Sequence, residues 1–116
     1  MPTAAGHLAQ ADHNEKFYEQ IDRNSFGDWA VTALFYTAVH YVNSYLEAKS
    51  QRPANHEERG RLIRSHAKTS GFFNNYERLR VRCWAARYDP GIIFKVAEIE
   101  DLRKNDLEPI KKALAP

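Results

Sequence analysis

The alternation of charged and apolar residues that runs through most of this chain stops at one place. The eighteen positions between Asp28 and Glu47 contain no Asp, Glu, Lys or Arg. In DWAVTALFYTAVHYVNSYLE apolar residues recur on every side of a helical period, which predicts a central helix enclosed by its neighbours. Tyr36 and His40 stand one turn apart inside it, so both are expected to face the same neighbouring helix. Ser25, with Asp28 three residues later, reads as the cap and first-turn acid of this element.

The remaining pattern is helical too, with no alternating run long enough for a strand. A first helix is expected over 7–23, with Leu8, Ala11, Phe17, Tyr18 and Ile21 on its apolar side, ended by Arg23-Asn24-Ser25. Pro53 and Asn55 mark a turn and a cap for a third helix, HEERGRLIRSHAK, closed by Thr69-Ser70-Gly71. A fourth, from about Phe72 to Arg87, carries Phe73, Tyr76, Leu79 and Cys83 on one stripe and stops at Tyr88-Asp89-Pro90-Gly91. A last helix begins near Phe94, with Val96, Ile99, Leu102, Leu107, Ile110 and Leu114 as core positions, and Pro109 should kink or restart it. Five helices on short turns give an all-α, antiparallel up-and-down bundle of four to five helices, one domain over 1–116.

Composition narrows the function classes. The uncharged run is just long enough for a bilayer helix. Thr32, Thr37, His40, Asn43 and Ser44 interrupt it, however, and mean hydropathy is -0.65, so no membrane span is expected. The opening MPTAAGHLAQADHNEK has neither the basic nor the apolar region of a secretory signal, which points to a cytoplasmic location. The single cysteine, Cys83, leaves no internal disulfide and reads as a small buried filler. Residues 51–87 hold nine Lys and Arg against three acids in a chain whose net charge is only +2. That asymmetry suggests a basic face suited to phosphate, either in a ligand or in a nucleic-acid backbone.

Candidate chemistry is confined to a few positions. His7 and His13 fall on a polar face of the first helix, and no two histidines have the i, i+4 spacing of a helical metal pair, so no metal or other cofactor is expected. Trp29 and Trp84 read as core anchors; exposed, Trp84 would lie beside Arg78, Arg80 and Arg82 as a surface for stacking a base.

The order of FYTAVHYVNSYLE, NHEERGRLIR and YERLRVRCWAARYDP, over roughly residues 10–115, resembles the HEPN superfamily of small helical domains. The resemblance implies a domain that often forms homodimers. Many members are metal-independent ribonucleases, and others are nucleotide-binding or inactive scaffolds of toxin–antitoxin and defence systems, some partnered by a nucleotidyltransferase. The nucleolytic signature, Arg-x4-6-His near the final helices, is absent here, because no His follows Arg87. The same spacing occurs earlier, as Arg61 or Arg59 with His66. In a ribonuclease His66 would move the proton of a ribose hydroxyl while an Arg holds the phosphate. Continued as a helix, Arg61 and His66 diverge by about 140° whereas Arg59 and His66 share a face. His40, His56, Arg87, Tyr88 and Asp89 occupy the family's other motif segments, and with Tyr36 they are expected to form a polar cluster. In that cluster Tyr36 or Asp89 would partner a buried His40, or His56 and Arg59 would head a phosphate pocket at the start of the third helix. The resulting expectation is a nucleotide- or RNA-binding interaction module, with a dimeric ribonuclease or a purely structural assembly subunit as alternatives.

Overall fold

The computed structural model describes residues 2–116, and among them every regular element is helical. The elements are α1 (Ala4–Gln20), α2 (Gly27–Ala48), α3 (His56–Ser65), the one-turn α4 (Ala67–Ser70), α5 (Phe73–Tyr88), α6 (Val96–Leu102) and α7 (Glu108–Leu114). A π-helical turn, Arg103–Leu107, joins α6 to α7 as one rod.

Four long elements make an up-and-down bundle, and α3 with α4 is inserted between the second and third of them. Ring and side-chain pairs give the directions. Along α2, Trp29, Thr32 and Phe35 meet Arg87, Cys83 and Tyr76 in falling order along α5, so these two run antiparallel. On the last rod, Glu98 and Asp106 pair with Arg82 and Arg78 of α5, again in opposite order. The helix α2 packs against α1, α5, α6 and α7, and it buries twelve residues from Ala30 to Leu46. Its threonine hydroxyls are satisfied within the helix, Thr32 donating to the Asp28 carbonyl and Thr37 to that of Ala33.

Local chemistry moved several boundaries. Thr3 caps α1 by accepting from the Gly6 amide at 2.9 Å, so the helix starts three residues before the expected His7. It stops at Gln20 because the Asp22 carboxylate draws the Asn24 amide and the Ser25 hydroxyl into a turn, both at 2.9 Å. Ser25 is thereby spent on Asp22, and α2 begins at Gly27 with Phe26 at the cap position and no side-chain cap. Phe17 ends half-exposed rather than in the core, while Glu15 is buried between Lys111 (2.9 Å) and Arg103 (3.5 Å) of the last rod. Asn55 does cap α3, accepting from the Glu58 amide at 2.7 Å.

Two breaks are fixed by side-chain bonds to backbone carbonyls. The helix α3 ends at Ser65, not near Lys68, and the buried Thr69 hydroxyl takes the Ile63 carbonyl at 2.6 Å. In the last rod Pro109 has no N–H for the Asn105 carbonyl four residues back. That carbonyl accepts from Asn75 of α5 instead, at 3.0 Å. The π turn that opens there carries Asp106 inward, where Arg78 (2.7 Å) and Asn75 (3.1 Å) bind its carboxylate.

Candidate functional site

One edge of α2 is polar. Tyr36, His40, Asn43 and Glu47, at i, i+4, i+7 and i+11, fall on one face. This face meets two helices, and its residues divide between them. His40 turns toward α1, its Nδ1 lying 3.0 Å from Nδ1 of His7 with ring centroids 5.2 Å apart. Tyr36 turns toward α3 and α5, its ring 5.9 Å from that of His56 and its hydroxyl oxygen accepting from Arg87 Nη1 at 2.8 Å. The two residues therefore do not share a neighbouring helix, and the partner of His40 is neither Tyr36 nor Asp89 but His7.

Arg59 of α3 closes the seam. It is only 7% exposed, and it donates from Nε to Asn43 Oδ1 at 2.9 Å and from Nη1 to His56 Nδ1 at 2.6 Å. Arginine has no lone pair to offer, so His56 must present a bare Nδ1 and carry its proton on Nε2. Burial comes first in lowering the proton affinity of His7, His40 and His56. His7 adds to the effect on His40, Arg59 adds to it at all three, and Arg80 and Arg87 add to it at His56. Glu47 works the other way at His7. At neutral pH the seam is thus three uncharged imidazoles around one buried guanidinium. Beneath it, burial raises the Tyr76 hydroxyl, an effect that nearby Arg59 opposes.

The seam opens on one side into a cleft of 400 Å³ between α3 and α5, where His56, Arg61, Arg64, Phe73 and Arg80 face Glu57 and Glu77. Arg80 is forked onto Glu77 at 2.8 and 2.9 Å, Arg61 reaches Glu58 at 3.8 Å, and Arg64 lies 4.8 Å over the Phe73 ring. Arg80, Trp84, Arg87 and Tyr88 continue this surface along α5, since spacings of i, i+4, i+7 and i+8 share a face.

Trp84 and Trp29 are not core anchors. Trp84 is 61% exposed, Tyr88 60% and Trp29 56%. The Trp84 and Tyr88 rings meet tilted by 48° with centroids 5.4 Å apart, the Arg87 guanidinium lies 5.3 Å over Tyr88, and a cleft of 220 Å³ separates Arg87 from Trp29. Because α5 is apolar on two stripes, Tyr76, Leu79 and Cys83 can take the core and leave Val81, Trp84 and Tyr88 outside. Cys83 is buried as expected, and burial pushes its thiol up, away from the reactive thiolate.

The other expected positions are scattered. Asp89 lies in the turn after α5, accepting from the Gly91 amide at 3.1 Å, well outside the seam. His66 caps α3 in an extended conformation, its Nε2 bound to Gln51 Oε1 at 2.7 Å and its ring edge-on to Tyr45. The helical period that would align Arg59 with His66 does not reach position 66, and Arg59 is directed to Asn43 and His56 while Arg61 points to solvent. His7 is the residue that pattern reading missed. A signal existed: His7 and His40 lie equally far from the Asp22–Ser25 turn, so an antiparallel hairpin sets them level.

No family model, curated protein or solved structure matches this chain.

Proposed function

We propose that this chain is a non-catalytic binding module for single-stranded RNA, in keeping with its HEPN-like sequence pattern. One observation carries the reading: Trp84, Tyr88 and Trp29 stand exposed around Arg87, on a helix face that runs into the arginine-lined cleft. Exposed rings accept unstacked bases of any sequence, and arginines between them follow the phosphates. The helix α5 supplies about 24 Å of such surface at 1.5 Å per residue. A nucleotide would use the same cleft, with His56 and Arg80 at its phosphate.

Catalysis is the weaker reading. A ribonuclease would need His66 and an arginine converging on one phosphate, whereas His66 is engaged by Gln51 and Arg59 by Asn43 and His56. The wider roles that the pattern suggests, a homodimer, a nucleotidyltransferase partner, a cytoplasmic toxin–antitoxin or defence setting, belong to the same proposal.

The chain has two tryptophans, and both sit at this surface, so intrinsic fluorescence reports on it directly. Titration with a single-stranded oligouridylate in EDTA should quench that fluorescence, with affinity falling as salt rises. Intact RNA at the end is part of the expected result. Unchanged fluorescence at low salt would overturn the binding reading; cleavage lost in His66→Ala would replace it with the ribonuclease.

A further inference from the structure

The contact between His7 and His40 is unlike the other polar contacts of the fold, because it joins two groups of the same kind through the same atom. Two Nδ1 atoms at 3.0 Å form a hydrogen bond only when one carries a proton and the other a lone pair. A neutral pair meets that condition with opposite tautomers. A pair holding one extra proton also meets it, since the proton goes to the far Nε2 of the donor ring and strengthens the bond. A second extra proton does not fit, because it must occupy the lone pair that receives the bond.

The groups around the pair do not relieve the second charge. From α2 the facing carboxylate is Glu47, which is already forked onto Arg52 of the following connection at 2.8 and 2.6 Å. From α3 the facing group is Arg59, itself a buried cation. On α1 itself, His7 lies in the first turns, where the helix dipole disfavours positive charge. The hold of these turns on the bundle is slight: before Ala11, the first buried residue of α1, only Ala4, His7 and Leu8 are even partly covered.

We propose that the His7–His40 contact is a one-proton clasp: it fastens the start of α1 to α2 while at most one extra proton is shared by the pair, and a second proton detaches those turns. The result is an acid-triggered local opening of α1 that leaves Ala11, Glu15 and Tyr18 docked. It uncovers His40, Asn43 and Arg59 from the α1 side, beside the 180 Å³ cleft that His7 lines with Asn43, Glu47 and Gln51. This device is independent of any RNA bound on the α5 side.

The test is a histidine NMR titration of the intact chain between pH 8 and 4.5, with amide hydrogen exchange followed across the same range. His13, exposed on the same helix, is the internal reference. The expected result is that His7 and His40 titrate as a coupled pair in two steps, the second clearly more acidic than His13. Across that second step, amides of residues 7–11 should lose at least tenfold more protection than those of 15–19, after correction for intrinsic exchange. In His7→Asn a side-chain amide can still donate to His40, and the acid-triggered loss should vanish. Independent titration of His7 and His40 alongside His13 overturns the proposal, as does protection that survives the second step or an unchanged acid loss in His7→Asn. If that variant does not fold, the wild-type titration decides alone.

Discussion

Replacing Trp84 by Leu and Arg87 by Gln separates the two forces that the α5 surface would apply to RNA. Trp84→Leu keeps an apolar side chain over the covered part of the site but removes the exposed ring face, which is where a base would stack. Stacking on one ring contributes about 1–3 kcal/mol, which is roughly a 5- to 140-fold loss in affinity at 1.4 kcal/mol per decade. The charge of the surface is untouched, so the slope of affinity against salt should stay the same. Arg87→Gln does the reverse. Its amide can still donate to the Tyr36 hydroxyl, replacing the 2.8 Å bond, while the positive charge is lost. One phosphate contact fewer on a single strand flattens the salt slope by about 0.7, so between 50 and 200 mM salt the variant should lose roughly 2.6-fold less affinity than wild type. Fluorescence anisotropy of a labelled oligouridylate at four salt concentrations measures both quantities. Equal slopes in all three proteins, or full affinity in Trp84→Leu, would refute the assignment of these roles.

Stability should depend on pH through the seam. Folding lowers the proton affinity of His7, His40 and His56, so below their ordinary value of about 6.5 the unfolded chain binds more protons and stability rises with pH. It is complete above that value and lost as pH falls toward the depressed values, by at most about 1.4 kcal/mol per pH unit for each proton; equal urea midpoints at pH 7.5 and 5.5 would contradict this. Arg59→Met keeps the volume but leaves Asn43 Oδ1 and His56 Nδ1 without their donor, a cost of about 2–4 kcal/mol for two half-buried acceptors. The same change should raise the proton affinity of His56, visible in its NMR titration, whereas a purely steric role for Arg59 would leave that titration in place. Asn75→Ala removes the donor shared by the Asn105 carbonyl and the buried Asp106 carboxylate at the π turn and should cost about 1–2 kcal/mol, with faster amide exchange confined to residues 103–110; uniform exchange along the chain would point to another cause.

The bundle was readable because its decisive signals are local. Eighteen uncharged positions mark α2 as the enclosed helix, Asn55 caps α3, and Asp89-Pro90-Gly91 ends α5 within a residue of where the pattern placed it. What could not be read depends on partners distant in sequence. The π turn is set by Asn75, thirty residues before the Asn105 carbonyl that Pro109 leaves without a donor, and even the end of α3 turns on Thr69 folding back to Ile63 rather than on any cap residue. The tryptophans were misplaced for a different reason. When both stripes of a helix are apolar, periodicity finds the helix but does not say which stripe is covered, and neighbours on α2 and on the π turn of the last rod decided it for α5. Within the polar group, His56, Tyr36 and Arg87 do come together around α2, Tyr88 joins only through the Arg87 stack, and Asp89 stays apart.

Arg87 is where the inner seam and the outer surface meet, and that position makes the seam matter for binding without touching RNA. Its guanidinium is held by Tyr36 from the inside and lies over Tyr88 on the outside, so it is ordered before any phosphate arrives. An arginine free in solvent loses about 0.5–1.5 kcal/mol of rotamer freedom when a ligand fixes it. Tyr36→Phe removes the restraint but neither the charge nor the ring that packs on His56. Affinity for single-stranded RNA should therefore fall by roughly 2- to 12-fold while the salt slope remains that of wild type, since the same phosphates are neutralised. The pattern differs from that of Arg87→Gln, in which the slope itself flattens. A double variant, Tyr36→Phe with Arg87→Gln, should bind no worse than Arg87→Gln alone, because the hydroxyl acts only through the arginine. Additive losses in the double variant would mean that Tyr36 acts on the RNA by another route, and the preorganised arginine would have to be abandoned.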